Sequence, residues 1–353
     1  MIGLLRFNGI INLAQFWPTK ESDADTMHVK PVGPIMFEPK TGKPFEVKVF
    51  TGAYIKTRKT KTKGVVPIPV LGTSGFSIRL QGIDAPELHY TAQDLKAKKD
   101  LMKQFGLTQQ QADFVYNDFR EPLGERATAE LVKFIKPHAP GAIASCVVET
   151  RVSKPNDVFD KYGRMIADVT LILSDHQRKS INVWLVENGW AMPTFYVSMF
   201  HDEINQLIAA QKAAGKKGVF AQLDDRVRPI DFKLIERKNF TGTPDAKVSG
   251  QRDTRVVLPK QFRRLTTWSV KAHVGLLTGS FEAFLVAKAG TGHGKADCYR
   301  TKDFLSKGTK AKKITFASLF KSHRLSVGPA DLVFSEDTST LKGPGGKLIK
   351  DWK

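Results

Sequence analysis

Residues 79 to 87 read Arg-Leu-Gln-Gly-Ile-Asp-Ala-Pro-Glu, and this stretch decides how the first half of the chain folds. Apolar residues occur at nearly strand spacing before and within it: Phe76, Ile78, Leu80 and Ile83. Pro86 has no backbone N–H, so it ends ladder pairing at the point where Asp84 and Glu87 occur. The pattern therefore predicts a strand whose end brings Arg79 close to two acids.

A second arginine comes from a turn later in the chain. Residues 160 to 164 read Asp-Lys-Tyr-Gly-Arg and precede the alternating segment Met-Ile-Ala-Asp-Val-Thr-Leu of residues 165 to 171. This alternation predicts a strand, and residues 142–152 with 159–172 are expected to form a hairpin. An earlier segment, Asp-Ala-Asp-Thr at residues 23 to 26, stands just before another strand pattern.

Together these segments resemble the staphylococcal nuclease (thermonuclease) family. Its hallmarks are an arginine five residues before an Asp-x-Pro-Glu turn, a later Asp-Lys-Tyr-Gly-Arg segment and an early Asp-x-Asp-Thr. Residues 181–191 and 203–217 resemble the short helix and the terminal helix of the family. The resemblance covers about residues 1–222 and implies an α+β fold, an OB-type five-stranded closed Greek-key barrel with packed helices.

The charged residues in these motifs suit phosphodiester cleavage. Hydrolysis needs an aimed water and cations that face the charge building on phosphorus. Arg79 and Arg164 are expected to grip non-bridging phosphate oxygens through paired hydrogen bonds, and Glu87 to act as the general base or to orient the water. The structural alternatives involve no catalysis: either arginine would form an ordinary ion pair, and Glu87 would be an acid in the first turn of a helix, where it interacts favourably with the helix dipole.

A divalent ion is expected beside these acids, because packed carboxylates repel one another without a cation. The expected ligands are Asp25, Asp84 and the backbone carbonyl of Ala85, oxygen donors that suit Ca²⁺. The alternative is that Asp23 and Asp25 only cap a turn, as Asx residues do routinely.

Substrate contacts are expected from four residues: Lys161, Tyr162, Phe195 and Tyr196. The first two fall on family positions that contact a neighbouring phosphate, and the aromatic pair falls near positions that stack on a base. Stacking tolerates any base, which favours single-stranded substrate. The alternative for the aromatic residues is a place in the core or at its rim.

The net charge of +20 and a pI of about 9.8 imply attraction to polyanions, with nucleic acid first and an anionic membrane surface second. No apolar run reaches the roughly 20 residues needed to span a bilayer. Residues 1–11 are interpreted as a first strand rather than a signal peptide. Cys146 and Cys298 make no disulfide framework, so the location stays open, with a cytoplasmic one favoured over export.

Two domains are expected in 353 residues. Residues 1–222 are interpreted as the nuclease-like domain, with insertions at about 30–75 and 88–120. Residues 223–250 are interpreted as a linker, and residues 251–353 as a basic β-rich module of unknown type. A protein partner or a surface is the candidate target to which this module would direct the nuclease. The basic stretch 56–63 is either a hairpin or a solvated loop.

The function that follows is a calcium-dependent, sugar-nonspecific nuclease that cleaves DNA and RNA to leave 3′-phosphates. The alternative is a catalytically inactive relative that binds nucleic acid or acts as a scaffold.

Overall fold

The structure is a computed structural model that describes residues 2–59, 65–92, 98–228, 230, 232–235, 255–287, 297–335 and 339–352. The chain forms two compact units. The first contains Met1–Ile83, Thr128–Glu187 and Glu336–Lys353, and the second contains 84–127 and 188–335. Both units draw on distant segments, so their boundary does not follow the expected linear division at residue 222. Most of the expected linker, residues 236–250, lies outside the described residues.

The first unit is built on strands. They are β1 (Gly3–Asn12), β2 (Thr26–Pro39), β3 (Phe45–Glu46), β4 (Tyr54–Lys59), β5 (Val65–Pro69), β6 (Phe76–Leu80), β7 (Ile83–Asp84, at the unit boundary), β8 (Ile143–Val152), β9 (Met165–Ile172) and β10 (Arg178–Ser180). The main sheet has the order β1-β8-β9-β6-β2-β3, with β10 beside β9 and a further pairing of β1 with β2. A strand-rich sheet is thus confirmed, although it has seven strands rather than the expected five.

Alternation explains why these segments pair as they do. In β9 every second residue is buried, and β1 follows nearly the same pattern, so each strand turns one face to the interior. The predicted hairpin of β8 and β9 is confirmed as an antiparallel pair. Strands β4 and β5 also pair antiparallel, which supports the expected basic hairpin, but residues 60–64 at its tip lie outside the described residues.

Helices occur in both units. They are α1 (Lys98–Phe105), α2 (Gln109–Val115), α3 (Gly124–Ile135), α4 (Ile181–Glu187), α5 (His201–Ala214), α6 (Val219–Gln222), α7 (Phe232–Ile235), α8 (Pro259–His273), α9 (Phe281–Ala287) and α10 (Thr301–Lys307). Gly189 has φ +72° two residues after α4, a left-handed conformation that glycine adopts without strain. Among the described residues, no helix is both long enough and apolar enough to cross a bilayer.

A buried asparagine ties α4 to the first sheet. The Asn182 side-chain oxygen accepts a hydrogen bond from the Val169 amide at 3.2 Å, and its amide nitrogen donates to the Gln81 carbonyl at 2.9 Å. Residue 81 directly follows β6. Since buried polar groups that are fully hydrogen-bonded rigidify their surroundings, Asn182 fixes the end of the strand that carries Arg79.

The end of the chain belongs to the first unit. Trp352 stacks on Phe37 of β2 with ring centroids 4.3 Å apart. The Ser339 hydroxyl donates to the Phe159 carbonyl at 2.6 Å, and the Leu341 amide donates to the Asn156 side chain at 2.8 Å. Residues 339–352 are therefore part of the sheet unit rather than of the expected C-terminal module.

The second unit mixes helices with short strands, so the β-rich expectation for the C-terminal module is not met. Its remaining strands are β11 (Met192–Pro193), β12 (Phe195–Tyr196), β13 (Asp297–Arg300), β14 (Ile314–Thr315), β15 (Phe320–Lys321), β16 (Arg324–Leu325) and β17 (Leu332–Phe334). The order β12-β17-β13-β14 makes a four-stranded sheet. An aromatic core that includes Phe281 and Phe316 packs against it. The apolar residues 281–286 form most of α9, because the side chains at 281, 284 and 285 share one helix face.

Candidate functional site

Arg79 occupies the middle of the first unit's sheet. Its strand β6 pairs antiparallel with β2, where Thr26 lies opposite Arg79, and parallel with β9, where Ile166 does. The Leu80 amide donates to the Asp25 carbonyl at 2.8 Å, which holds the turn before β2 against β6. The whole residue is only 9 % exposed. A guanidinium at this depth needs an anionic partner.

That partner is Asp25, whose Oδ2 lies 3.5 Å from Nη1 of Arg79. The other carboxylate oxygen of Asp25 accepts a hydrogen bond from the Thr26 hydroxyl at 2.9 Å. Asp23 has a different task, because its Oδ1 accepts from the backbone amides of Asp25 at 3.2 Å and Thr26 at 2.8 Å. The turn-capping alternative therefore holds for Asp23, while the Asp25 side chain faces Arg79.

Arg164 contacts the same turn from another direction. Its Nη1 donates to the Thr26 hydroxyl oxygen at 3.1 Å, and its Nε donates to Oδ2 of Asp160 at 2.7 Å. Oδ1 of Asp160 accepts from the amides of Tyr162 at 2.8 Å and Arg164 at 3.0 Å, so one carboxylate shapes the turn and orients the guanidinium. We call Asp25, Thr26, Arg79, Asp160 and Arg164 the arginine cluster.

Sequence reasoning assigned no role to Thr26 or to Asp160, although both stand inside the motifs. The Thr26 hydroxyl connects Arg164 to the partner of Arg79, since it donates to Asp25 and accepts from Arg164. The available signal for Asp160 was its place at the start of a turn, because Asp side chains commonly accept a hydrogen bond from the backbone amide two residues on.

Lys161 and Tyr162 lie beside this cluster. Tyr162 is 58 % exposed, an unusual exposure for a large aromatic side chain. The Lys161 Nζ atom lies 5.3 Å from its ring centroid, and the Arg164 Cζ atom lies 5.5 Å from it. An exposed ring flanked by two cations suits a nucleobase and its phosphate.

The acids of the first motif belong to the second unit. Asp84 is fully buried, and Glu87 is partly buried. Both carboxylates contact Arg263 of α8: Nη2 lies 3.4 Å from Oδ2 of Asp84, and Nη1 donates to Oε1 of Glu87. We call Asp84 and Glu87 the acid pair. The side chain of Ala85, between them, is also buried.

The buried side chain of Glu121 holds the backbone of the acid pair in place. Glu121 accepts hydrogen bonds from the amides of Glu87 at 3.3 Å and Val257 at 2.9 Å, and its own amide donates to the Glu87 carbonyl at 2.7 Å. Burial, together with the charge of Glu87, raises the pKa of Glu121 well above its ordinary value. Gly124 is required here because a Cβ would lie 2.9 Å from the Glu87 carbonyl oxygen.

The prediction that Phe195 stacks on a base is wrong. Phe195 is fully buried, because β12 pairs with β17 and its ring enters the core of the second unit. Tyr196 is partly buried, and its hydroxyl accepts a hydrogen bond from the Lys260 Nζ atom at 2.9 Å. Its role in substrate binding stays a prediction.

The oxygen donors of the acid pair decide whether a divalent ion fits this site. Where the structure describes the chain, no three His, Cys, Asp or Glu side chains are grouped to hold a metal. The acid pair nevertheless binds a cation, the guanidinium of Arg263, through one oxygen from each carboxylate. Hard oxygen donors arranged around a positive charge suit Ca²⁺. The oxygen donors of Asp84 and Glu87 therefore fit Ca²⁺ once Arg263 no longer contacts them.

Residues 77–220 match the family model described as "Staphylococcal nuclease homologue". This segment includes Arg79, the acid pair and Arg164, and the family resemblance of the sequence motifs is thereby confirmed. The match spans less than half of the chain and leaves out Asp25 and Arg263. No curated protein matches the chain. The family match indicates a nuclease-related function in general.

Proposed function

We propose that the protein is a nuclease that hydrolyses phosphodiester bonds of DNA and RNA, prefers single-stranded substrate and leaves 3′-phosphates. The observation that carries the proposal is the meeting of two arginines on one turn, where Thr26 and Asp25 contact Arg164 and Arg79. We further propose that the strand-rich sheet of the first unit is the OB-type fold of this family, since β1 pairs with β2 as well as with β8.

Arg79 and Arg164 would bind the non-bridging oxygens of the scissile phosphate. Each guanidinium is held by its own carboxylate, Asp25 or Asp160, so its orientation is fixed before substrate arrives. Preorganised donors of this kind stabilise developing charge without reorganisation during the reaction. The Arg164 side chain is 26 % exposed, and its five N–H donors exceed its contacts with Asp160 and Thr26.

Glu87 would orient or deprotonate the attacking water, and its backbone is already fixed by Glu121 on both sides. Asp25, Asp84 and the Ala85 carbonyl would hold Ca²⁺, which when bound supplies positive charge beside the phosphate and lowers the pKa of water. Lys161 and Tyr162 would contact the neighbouring nucleotide. The charge of +20 favours association with any polyanionic strand.

The test is a cleavage assay with end-labelled single-stranded DNA and RNA, in Ca²⁺ or in chelator. Wild-type protein should shorten both strands only with Ca²⁺. Arg79→Lys should lower kcat/KM about 100- to 1000-fold, the usual effect of losing one donor to the developing charge, and Glu87→Gln about 100- to 10,000-fold, the usual contribution of a general base. Arg6→Lys is the matched control, because Arg6 forms a surface ion pair with Glu149 elsewhere in the same unit. Full activity of Arg79→Lys would contradict the proposal.

The second candidate function is an inactive nucleic-acid-binding or scaffold protein. It is favoured by one observation, the occupation of both acids by Arg263. Metal-independent binding of the labelled strands without any shortening would support this alternative. A protein partner for residues 251–353 and a cytoplasmic location stay predictions.

A further inference from the structure

The acid pair is held by an arginine from outside the family match. Arg263 lies more than 40 residues beyond the matched segment, in α8. It contacts Asp84 at 3.4 Å and donates to Glu87, and its side chain is 32 % exposed whereas that of Asp84 is fully buried. The two carboxylates to which the proposed function gives a role in catalysis or metal binding therefore already face a cation.

Helix α8 is fixed against residues 84–90 by contacts other than this ion pair. The hydroxyls of Tyr90 and Thr267 lie 2.6 Å apart, and the rings of Tyr90 and Phe262 pack edge to face at 6.2 Å. Thr267 follows Arg263 by one helical turn, so both project from the same face of α8. The Thr267 hydroxyl also donates to the Arg263 carbonyl at 2.9 Å.

Glu121 adds a connection from the other direction. One of its carboxylate oxygens accepts from the Glu87 amide, and the other accepts from the Val257 amide, two residues before α8 begins. Residues 84–90 and the residues just before α8 are thus joined through the buried side chain of Glu121. Arg263 is consequently presented to the acid pair by a rigid element rather than by a mobile loop.

We infer that Arg263 is an internal cation that competes with a divalent ion for the oxygens of Asp84 and Glu87. The inference rests on the proposed function, which gives Asp84 to the metal and Glu87 to the water. A guanidinium and a hard cation cannot share the same oxygens, and their positive charges repel at short range. Ca²⁺ must therefore displace Arg263, and the concentration at which it binds is set by the strength of that ion pair.

The test measures Ca²⁺ binding to the full chain by calorimetry, without nucleic acid. Arg263→Gln should bind Ca²⁺ at least tenfold more tightly than wild type, because the competing charge is gone. Arg263→Lys should fall between the two, since lysine keeps the charge but lacks the planar fork that reaches both carboxylates. Lys271→Gln is the control: it removes the same charge from α8 about two turns away and should bind Ca²⁺ like wild type.

Equal or weaker Ca²⁺ binding by Arg263→Gln, relative to wild type and Lys271→Gln, would overturn the inference. If Arg263→Gln does not fold, as judged by circular dichroism, the comparison of Arg263→Lys with wild type decides in the same way. The binding result is independent of catalysis. A protein that cleaves no strand but shows the tenfold difference would refute the proposed function alone, and an active nuclease without the difference would refute this inference alone.

Discussion

Replacing Thr26 with valine removes the hydroxyl that connects the two arginines while keeping the shape of the side chain. Thr26 opens β2, and its hydroxyl donates to Asp25 at 2.9 Å and accepts from Arg164 at 3.1 Å. Both partners are charged, and hydrogen bonds to charged groups contribute about 1.5 to 3 kcal/mol each. The substitution therefore acts on the orientation of catalytic groups rather than on packing.

The net effect is smaller than the sum of two such bonds. Asp25 keeps Arg79 as a partner, and Arg164 keeps Asp160. We expect a loss of about 1 to 2 kcal/mol in transition-state stabilisation, which corresponds to a fall in kcat/KM of about 5- to 30-fold. The assay is cleavage of a labelled single-stranded oligonucleotide under kcat/KM conditions, with the unfolding free energy measured in parallel.

Thr26→Ser is the matched control, because serine keeps the hydroxyl and should retain most of the activity. Coupling is tested by a double-mutant cycle with Arg164→Lys, in which Thr26→Val should cost less than it does in wild type. An unchanged kcat/KM in Thr26→Val would refute the reasoning, and so would an equal loss in Thr26→Ser.

Two further predictions concern the exposed ring and a partly buried acid of the sheet. Tyr162→Leu should raise KM about 5- to 100-fold for single-stranded substrate with kcat little changed, since stacking contributes about 1 to 3 kcal/mol per base; equal KM values would contradict this. Asp168→Asn should stabilise the protein at pH 8 but not at pH 4. Burial, together with the charge of Glu149, raises the pKa of Asp168 to about 6, so the stability that the protonated acid provides at low pH is lost as the pH rises through that value. Urea denaturation at both pH values should show that the free energy of unfolding rises by about 1 to 2 kcal/mol at pH 8 only. This gain is below the roughly 3 kcal/mol that the full pKa shift would give, because the Asp168 side chain is partly solvated.

The strands and the arginines were accessible to sequence reasoning because their signals are local. Alternation over residues 165–171 predicted β9, and the motif around Arg79 predicted a charged residue near a strand end. Helix α3 carries local signals of the same kind, since its apolar residues recur at helical spacing and Pro137 follows its end.

The remaining features depend on contacts between distant segments. Arg263 carries no motif of its own, and only the docking of α8 brings it to residues about 180 positions earlier. Phe195 stands near a family position for base stacking, but its pairing with β17 buries it. The return of residues 339–352 to the first unit likewise depends on the stacking of Trp352 on Phe37, which no local pattern signals.

The central claim is that two preoriented arginines, which contact the same turn at Asp25 and Thr26, act on a phosphodiester. The most direct measurement is the single-turnover rate of single-stranded DNA cleavage in Ca²⁺ for wild type, Arg164→Lys and the control Arg6→Lys. The account predicts strand shortening by wild type and by the control, and a rate about 100- to 1000-fold lower for Arg164→Lys. Equal rates for all three proteins, or no cleavage by any of them, would contradict it.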